Sequence, residues 1–164
     1  MQSMSEAPEG RHSTMAGTLT NLIYHIVFST KNRAALIPKE FRSKLYAYIK
    51  GIIDHHGGIL LEVGGISDHV HLLMKLRAGH SVSELVRLIK ANSSKWANEK
   101  AIQRNLFAWQ GGYGAFTVSA SGIEPMRKYI RTQEEHHRVK TFQEELVELL
   151  IKQGIEFETR YLWE

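Results

Sequence analysis

Asp68-His69-Val70-His71-Leu72-Leu73-Met74-Lys75-Leu76 is the stretch on which the reading of the whole chain turns. Polar and apolar residues alternate at its start, as they do on a β-strand whose side chains face opposite ways with period two. The alternation predicts that His69 and His71 share one face, while Val70 and Leu72 enter a core. Two imidazoles on one face can grip a single cation, because neutral imidazole is the commonest protein metal ligand. Just upstream, Ile59 to Val63 reads as another strand. Gly64, Gly65, Ser67 and Asp68 connect the two tightly enough for an antiparallel hairpin.

Working outward, Asn21 to Thr30 is rich in β-branched and aromatic residues and predicts a first strand. Pro38 opens a helix to about His56, with Phe41, Leu45, Ile49 and Ile52 at helical spacing, and Gly57-Gly58 stops it. After the His-Val-His strand, Ser81 or Ser83 caps a helix that runs to about Lys100. Trp109 and the run Gly111-Gly112-Tyr113-Gly114 then lead into a fourth strand at Ala115 to Ser119. Ser121 and Glu124 have capping-box spacing, so a helix carrying Met126, Tyr129, Ile130 and Gln133 is expected next. Phe142 to Gln153 is a last amphipathic helix, with Leu146, Leu149 and Leu150 inward. The order β-α-β-β-α-β followed by helices predicts an α+β, ferredoxin-like split β-α-β antiparallel sheet with helices on one face and additional C-terminal helices. The opposite face of the sheet is expected to stay free for a ligand or partner.

At 164 residues the chain is long enough for one domain with a real core. Residues 1–17 lack periodicity and read as a disordered leader, with 18–164 as a single domain. No apolar run is long enough to span a bilayer, so no membrane role is expected. Cysteine is absent, which excludes thiolate metal sites and disulfides and suits a cytoplasmic setting. A net charge of +4 is compatible with a nucleic-acid partner without requiring one.

Tyr129 and Gln133 stand four apart, so on a continuous helix they share a face. The Gln133 carbonyl oxygen can serve as a third, hard ligand beside His69 and His71. Tyr129, one turn away, would bring a phenol to the same ion, and a phenolate is a nucleophile. A cation there would stabilise charge building on a phosphate under attack. Taken singly, a His-x-His pair or a Tyr-x-x-x-Gln spacing is common on ordinary strands and helices. The conjunction, in a fold able to bring the pieces together, is what points to chemistry. Lys31, Arg33, Arg87, Lys90 and Lys95 are candidates for phosphate contacts, and Tyr113 for stacking a base. Asp68 could orient one histidine, although a turn residue is the plainer reading, and His136 and His137 read as a solvated helix end.

On Tyr24-His25-Ile26-Val27-Phe28-Ser29-Thr30-Lys31-Asn32-Arg33, the Asp68 to Leu73 core, Trp109 with Gly112-Tyr113-Gly114, and Tyr129-Ile130-x-x-Gln133, the chain resembles the single-tyrosine HUH transposases. These are the small enzymes of insertion sequences that move as single-stranded DNA. The resemblance implies a divalent ion, Mg²⁺ or Mn²⁺, on His69, His71 and Gln133, with Tyr129 as the catalytic nucleophile. It implies cleavage and rejoining of single-stranded DNA bearing hairpins, through a 5′-phosphotyrosyl intermediate. It also implies a homodimer in which the tyrosine helix can complete the partner's histidine pair. With no carboxylate in that ligand set, Mn²⁺ is the easier fit. The rival readings are a replication initiator of the same superfamily, a non-catalytic or domesticated DNA-hairpin-binding protein, and a structural metal site.

Overall fold

The computed structural model describes residues 17–100 and 106–163. The expected leader therefore lies outside the described residues, except for Gly17. Four strands form one antiparallel sheet: β1 (Leu22–Ser29), β2 (Ile59–Gly65), β3 (His69–Leu76) and β4 (Gly114–Thr117). Their order across the sheet is β2-β3-β1-β4. This is the split β-α-β order, in which the β2–β3 hairpin reaches back so that β3 pairs with β1. The register sets Val27 opposite His71 and Ser29 opposite His69.

Helices α1 (Lys39–His55) and α2 (Val82–Glu99) cover one face of the sheet. Phe41, Leu45, Ile49 and Ile53 of α1 and Leu85, Val86 and Ile89 of α2 pack on Ile26, Phe28, Val70, Leu72 and Met74. Pro38 stands just before α1, its fixed φ leading into the first turn. Ser81 caps α2 by accepting from the Glu84 N–H. No helix among the described residues is long and apolar enough to cross a membrane.

The second face departs from expectation. It is covered by α3 (Ile123–Arg131), a short α4 (Gln133–His136) and α5 (Phe142–Lys152). The reason lies in the strands, which carry apolar residues on both faces. Ile23 and Leu73 need Ile130 of α3 as cover, and Val27 and Phe116 need Phe142 and Leu150 of α5. Each such side chain contributes about 1.5–3 kcal/mol when fully buried, so leaving this face in water would cost several kcal/mol.

Two local expectations also change. Ser121 does not cap α3, because its hydroxyl meets that of Ser119 and Glu124 pairs with Arg127 instead. A 3₁₀ turn at Ala120–Gly122 precedes the helix, and Gly122 takes the cap position. The expected continuous helix through Gln133 breaks at Thr132, whose φ and ψ are −100° and 23°. The Thr132 hydroxyl donates to the Lys128 carbonyl at 2.9 Å, occupying the backbone acceptor at the break. The last helix does carry a capping box, between Thr141 and Glu144.

Candidate functional site

Between the two apolar clusters of the second face lies a polar pocket. His69 and His71 both project into it from β3, as the alternation predicts, and both are fully buried. His25 of β1 projects beside them. Gln133 enters from α4 and Glu145 from α5, and both are buried as well.

Each imidazole is held from behind. His69 Nδ1 donates to the Asp68 carboxylate at 2.6 Å. His71 Nδ1 stands 2.8 Å from His25 Nε2. The Nε2 atoms then point inward. That of His69 is 3.0 Å from Gln133 Oε1 and 3.5 Å from Glu145 Oε1. That of His71 is 2.8 Å from the same Glu145 oxygen. His69, His71 and Glu145 each offer a ligand atom within 4.8 Å of the others. Three convergent donors, two nitrogens and one carboxylate oxygen, fit a divalent ion. Gln133 Oε1 borders the same space.

The electrostatics agree with a cation site. Burial lowers the His71 imidazole to a pKa of about 4, against the raising effect of Glu145, so the ring is neutral and suited to ligation. Burial, joined by His71, lowers His25 to about 3. Burial alone would raise the Glu145 carboxyl, but hydrogen bonds from His137 and His71 outweigh it and hold the group well below the usual carboxylate range. The pocket thus contains a fixed negative charge facing the neutral imidazole of His71.

Tyr129 lies at the mouth of this pocket. Its ring meets His71 edge-on at 5.6 Å and stands 6.2 Å from His25, all within one chain. Burial, then the Glu145 carboxylate, push its phenol far above the usual range. A cleft of about 140 Å³ opens onto the phenol, bordered by His136, Lys140, Leu149 and Lys152. The helix carrying Tyr129 lies very close to the sheet at Gly64. A Cβ there would sit 2.3 Å from the Ile130 carbonyl oxygen, so only glycine admits α3 at this distance.

The structure brings Tyr129, His69, His71 and Gln133 together, and Asp68 does orient His69. It scatters the expected phosphate contacts. Lys31 is exposed at the end of β1. Arg33 stacks over Trp163 at 5.3 Å. Arg87 pairs with Glu84 on the outer surface of α2, and Lys95 lies 4.0 Å from Glu99. Lys90 turns inward, donating to the carbonyls of Gln110 and Gly112 at 2.5 and 2.7 Å. It therefore braces the glycine-rich turn. Tyr113 is 41% exposed.

Sequence reasoning missed Glu145, His25 and His137. A signal existed for Glu145, which stands three residues after Phe142 and four before Leu149, within the apolar stripe of α5. His137 was read as a solvated helix end, yet its side chain is only 4% exposed and its Nε2 lies 3.1 Å from Glu145 Oε2. Burial lowers its pKa, but the Glu145 carboxylate and the Lys140 carbonyl reverse that and leave it raised.

Comparison with known proteins agrees with the resemblance drawn from the motifs. The sequence model described as "Transposase IS200 like" matches residues 18–133. The transposase for insertion sequence element IS200 from Salmonella typhimurium LT2 is 27% identical over 135 residues, covering 79% of this chain and 88% of the relative. The corresponding transposase of Salmonella typhi gives the same figures. A solved structure of a candidate transposase from Deinococcus radiodurans R1 superposes with a TM-score of 0.58 at 23% identity, covering 77% of this chain and 98% of that one. The REP-associated tyrosine transposase bound to a REP hairpin gives a TM-score of 0.57 at 15% identity, with 82% and 74% covered. These two likenesses establish the fold.

Proposed function

On the premise that this chain belongs to the IS200-like transposase family, we propose that it cleaves and rejoins single-stranded DNA through Tyr129. What supports the reading is one observation above all: the Tyr129 ring is 5.6 Å from His71, at the edge of a buried His69–His71–Glu145 ligand set. A nucleophile beside a cation site is the arrangement phosphodiester transfer needs.

His69, His71 and Glu145 would hold the divalent ion, with Gln133 beside them. Such an ion, when bound, supplies charge stabilisation to a phosphate oxygen under attack. The chain's own residues do the rest. Asp68 and His25 fix the orientations of the two imidazoles. The Tyr129 oxygen forms a bond to phosphorus as the bond from phosphorus to the 3′-oxygen breaks. The phenolic proton passes to solvent through the cleft that opens onto Tyr129. The products are a 5′-phosphotyrosyl protein and a strand ending in a 3′-hydroxyl once that oxygen has taken up a proton. The reverse attack by a different 3′-hydroxyl joins new strands without an external energy source. Tyr129 stands beside the histidines of its own chain, which supports a centre formed in cis. Exchange between two cut strands calls for two such centres, which a homodimer brings together. Single-stranded DNA with a hairpin is the substrate class.

The test is to incubate the protein and Mn²⁺ with a single-stranded hairpin oligonucleotide labelled at its 3′ end. The label should follow the native protein through denaturing gel electrophoresis and should not follow the Tyr129→Phe variant. Hairpin binding with no covalent product would instead favour the rival reading of a non-catalytic hairpin-binding protein.

A further inference from the structure

Strand β2 is irregular at one point, and the irregularity lies beneath the helix that carries Tyr129. Leu60 stands opposite Met74 and Glu62 opposite Leu73, so Leu61 is an extra residue with no partner on β3. A bulge of this kind re-aims the side chains beside it. Leu60 and Val63 are three apart and would face opposite ways on a regular strand. Here both pack into the core under α1 and α2. The two residues between them are thereby given to the second face. Leu61 joins Ile23, Leu73 and Ile130 there. Glu62 accepts from Arg131 Nε at 2.7 Å, and the Leu61 carbonyl accepts from Arg127 Nη1 at 2.8 Å.

Arg127 and Arg131 are four apart on α3 and share a side of it. Tyr129 is two residues from each, about 200° around the helix. The arginines therefore grip β2 on one side while the phenol stands on the other. Little in the helix itself fixes its rotation. It has nine residues, no side chain caps its first turn, and its backbone breaks at Thr132. Gly64 sets how close α3 comes to the sheet, and the bulge sets how it is turned. On the reading of Tyr129 as the nucleophile, we propose that Arg127 and Arg131, seated on the Leu61 bulge and Glu62, are positioning residues. They hold the rotation of α3 and so the place of the Tyr129 phenol against the two histidines of β3. A misplacement of about 1 Å at reacting atoms costs on the order of a hundredfold in rate.

The Glu62–Arg131 pair is partly exposed, so breaking it changes folding little. Two readouts then test its role in Glu62→Ala, Arg131→Ala and the double variant. The first is covalent capture of the hairpin oligonucleotide with Mn²⁺. The rate at saturation should fall about ten- to a hundredfold in each single variant, with half-saturation unchanged. The double variant should be no slower than the singles, because all three lack one and the same contact. Arg131→Lys, which keeps the charge, should recover part of the rate. The second readout needs no DNA. In protein labelled with ¹³C in its tyrosine rings, the Tyr129 signal is the one missing from Tyr129→Phe. It should shift in Glu62→Ala and Arg131→Ala, as the ring leaves its place beside His71. An unmoved Tyr129 signal would overturn the proposal. So would weakened hairpin binding with an unmoved signal, which would make Arg131 a DNA contact instead. A signal that moves in the variants while the native protein forms no covalent product would remove Tyr129 as nucleophile and uphold the placement of its ring.

Discussion

Single atoms govern what this pocket can do. His71 Nδ1 has one partner, His25 Nε2 at 2.8 Å, in a space without water contact. His25→Leu puts an apolar side chain of similar size in place of the imidazole and removes that partner. The ring of His71 is then free to turn, and Mn²⁺ affinity measured by titration calorimetry should fall about ten- to a hundredfold. Glu145 gives a second test, in the metal-free protein. Its folded pKa is depressed, so its contribution to stability is full above the unfolded carboxylate value of about 4.3 and is lost as the pH falls below it. Urea midpoints should therefore drop between about pH 5 and pH 3, and should drop less in Glu145→Gln, which has no carboxyl to protonate there. These residues also mark how far the sequence could be read. His69 and His71 were legible because period-two alternation is a local signal. Glu145 is 74 residues from His71 in sequence, and only a charge misplaced in an apolar stripe hinted at it. His25 gave no hint, since a lone histidine in a strand has many uses.

The elements matter through how closely they approach. Helix α3 reaches the site because β2 offers Gly64 at the contact, where an added Cβ would meet the Ile130 carbonyl at 2.3 Å. In Gly64→Ala, either β2 or α3 must shift. The expected cost is about 1–3 kcal/mol in chemical denaturation, the usual range for overpacking. Tyr129 moves with its helix, so covalent capture of DNA should fall further than the loss of folded protein explains. An unchanged rate of capture would mean that the placement of α3 is not set at this contact. Strands and helices were legible in the sequence almost to their ends, because Pro38, Gly57-Gly58 and Ser81 are strong punctuation. The break at Thr132 was not. Nothing in Tyr-Ile-Arg-Thr-Gln interrupts helical periodicity, and tertiary contact of Gln133 and His137 with the pocket decides it. The cover over the second face was half legible. Apolar residues on both faces of β1 and β3 required it, and the hairpin-based expectation of an open sheet passed over them.

On the scale of the whole molecule, the pocket ties together parts of the chain that are otherwise joined by few contacts. The sheet gives His69 and His71, α4 gives Gln133, and α5 gives Glu145. An ion bound only by the folded chain adds RT ln(1 + [L]/Kd), about 2.7 kcal/mol at a hundredfold excess over Kd. For a domain of this size the melting temperature should rise by roughly 5–10 °C with Mn²⁺ and return on chelation. The cleft beside Tyr129, about 140 Å³, is smaller than the pockets that enclose small-molecule ligands. If Tyr129 is the nucleophile proposed above, DNA would need α5 to move to reach the phenol, and the amides of that helix should exchange faster when a hairpin oligonucleotide is bound. The central claim is that one phenol carries the DNA. It is tested most directly by digesting the covalent product with trypsin and nuclease and locating the nucleotide by mass spectrometry. The residue carrying it should be Tyr129, in the peptide from Tyr129 to Arg131. A nucleotide found on Tyr24, Tyr113 or any other side chain would contradict the account.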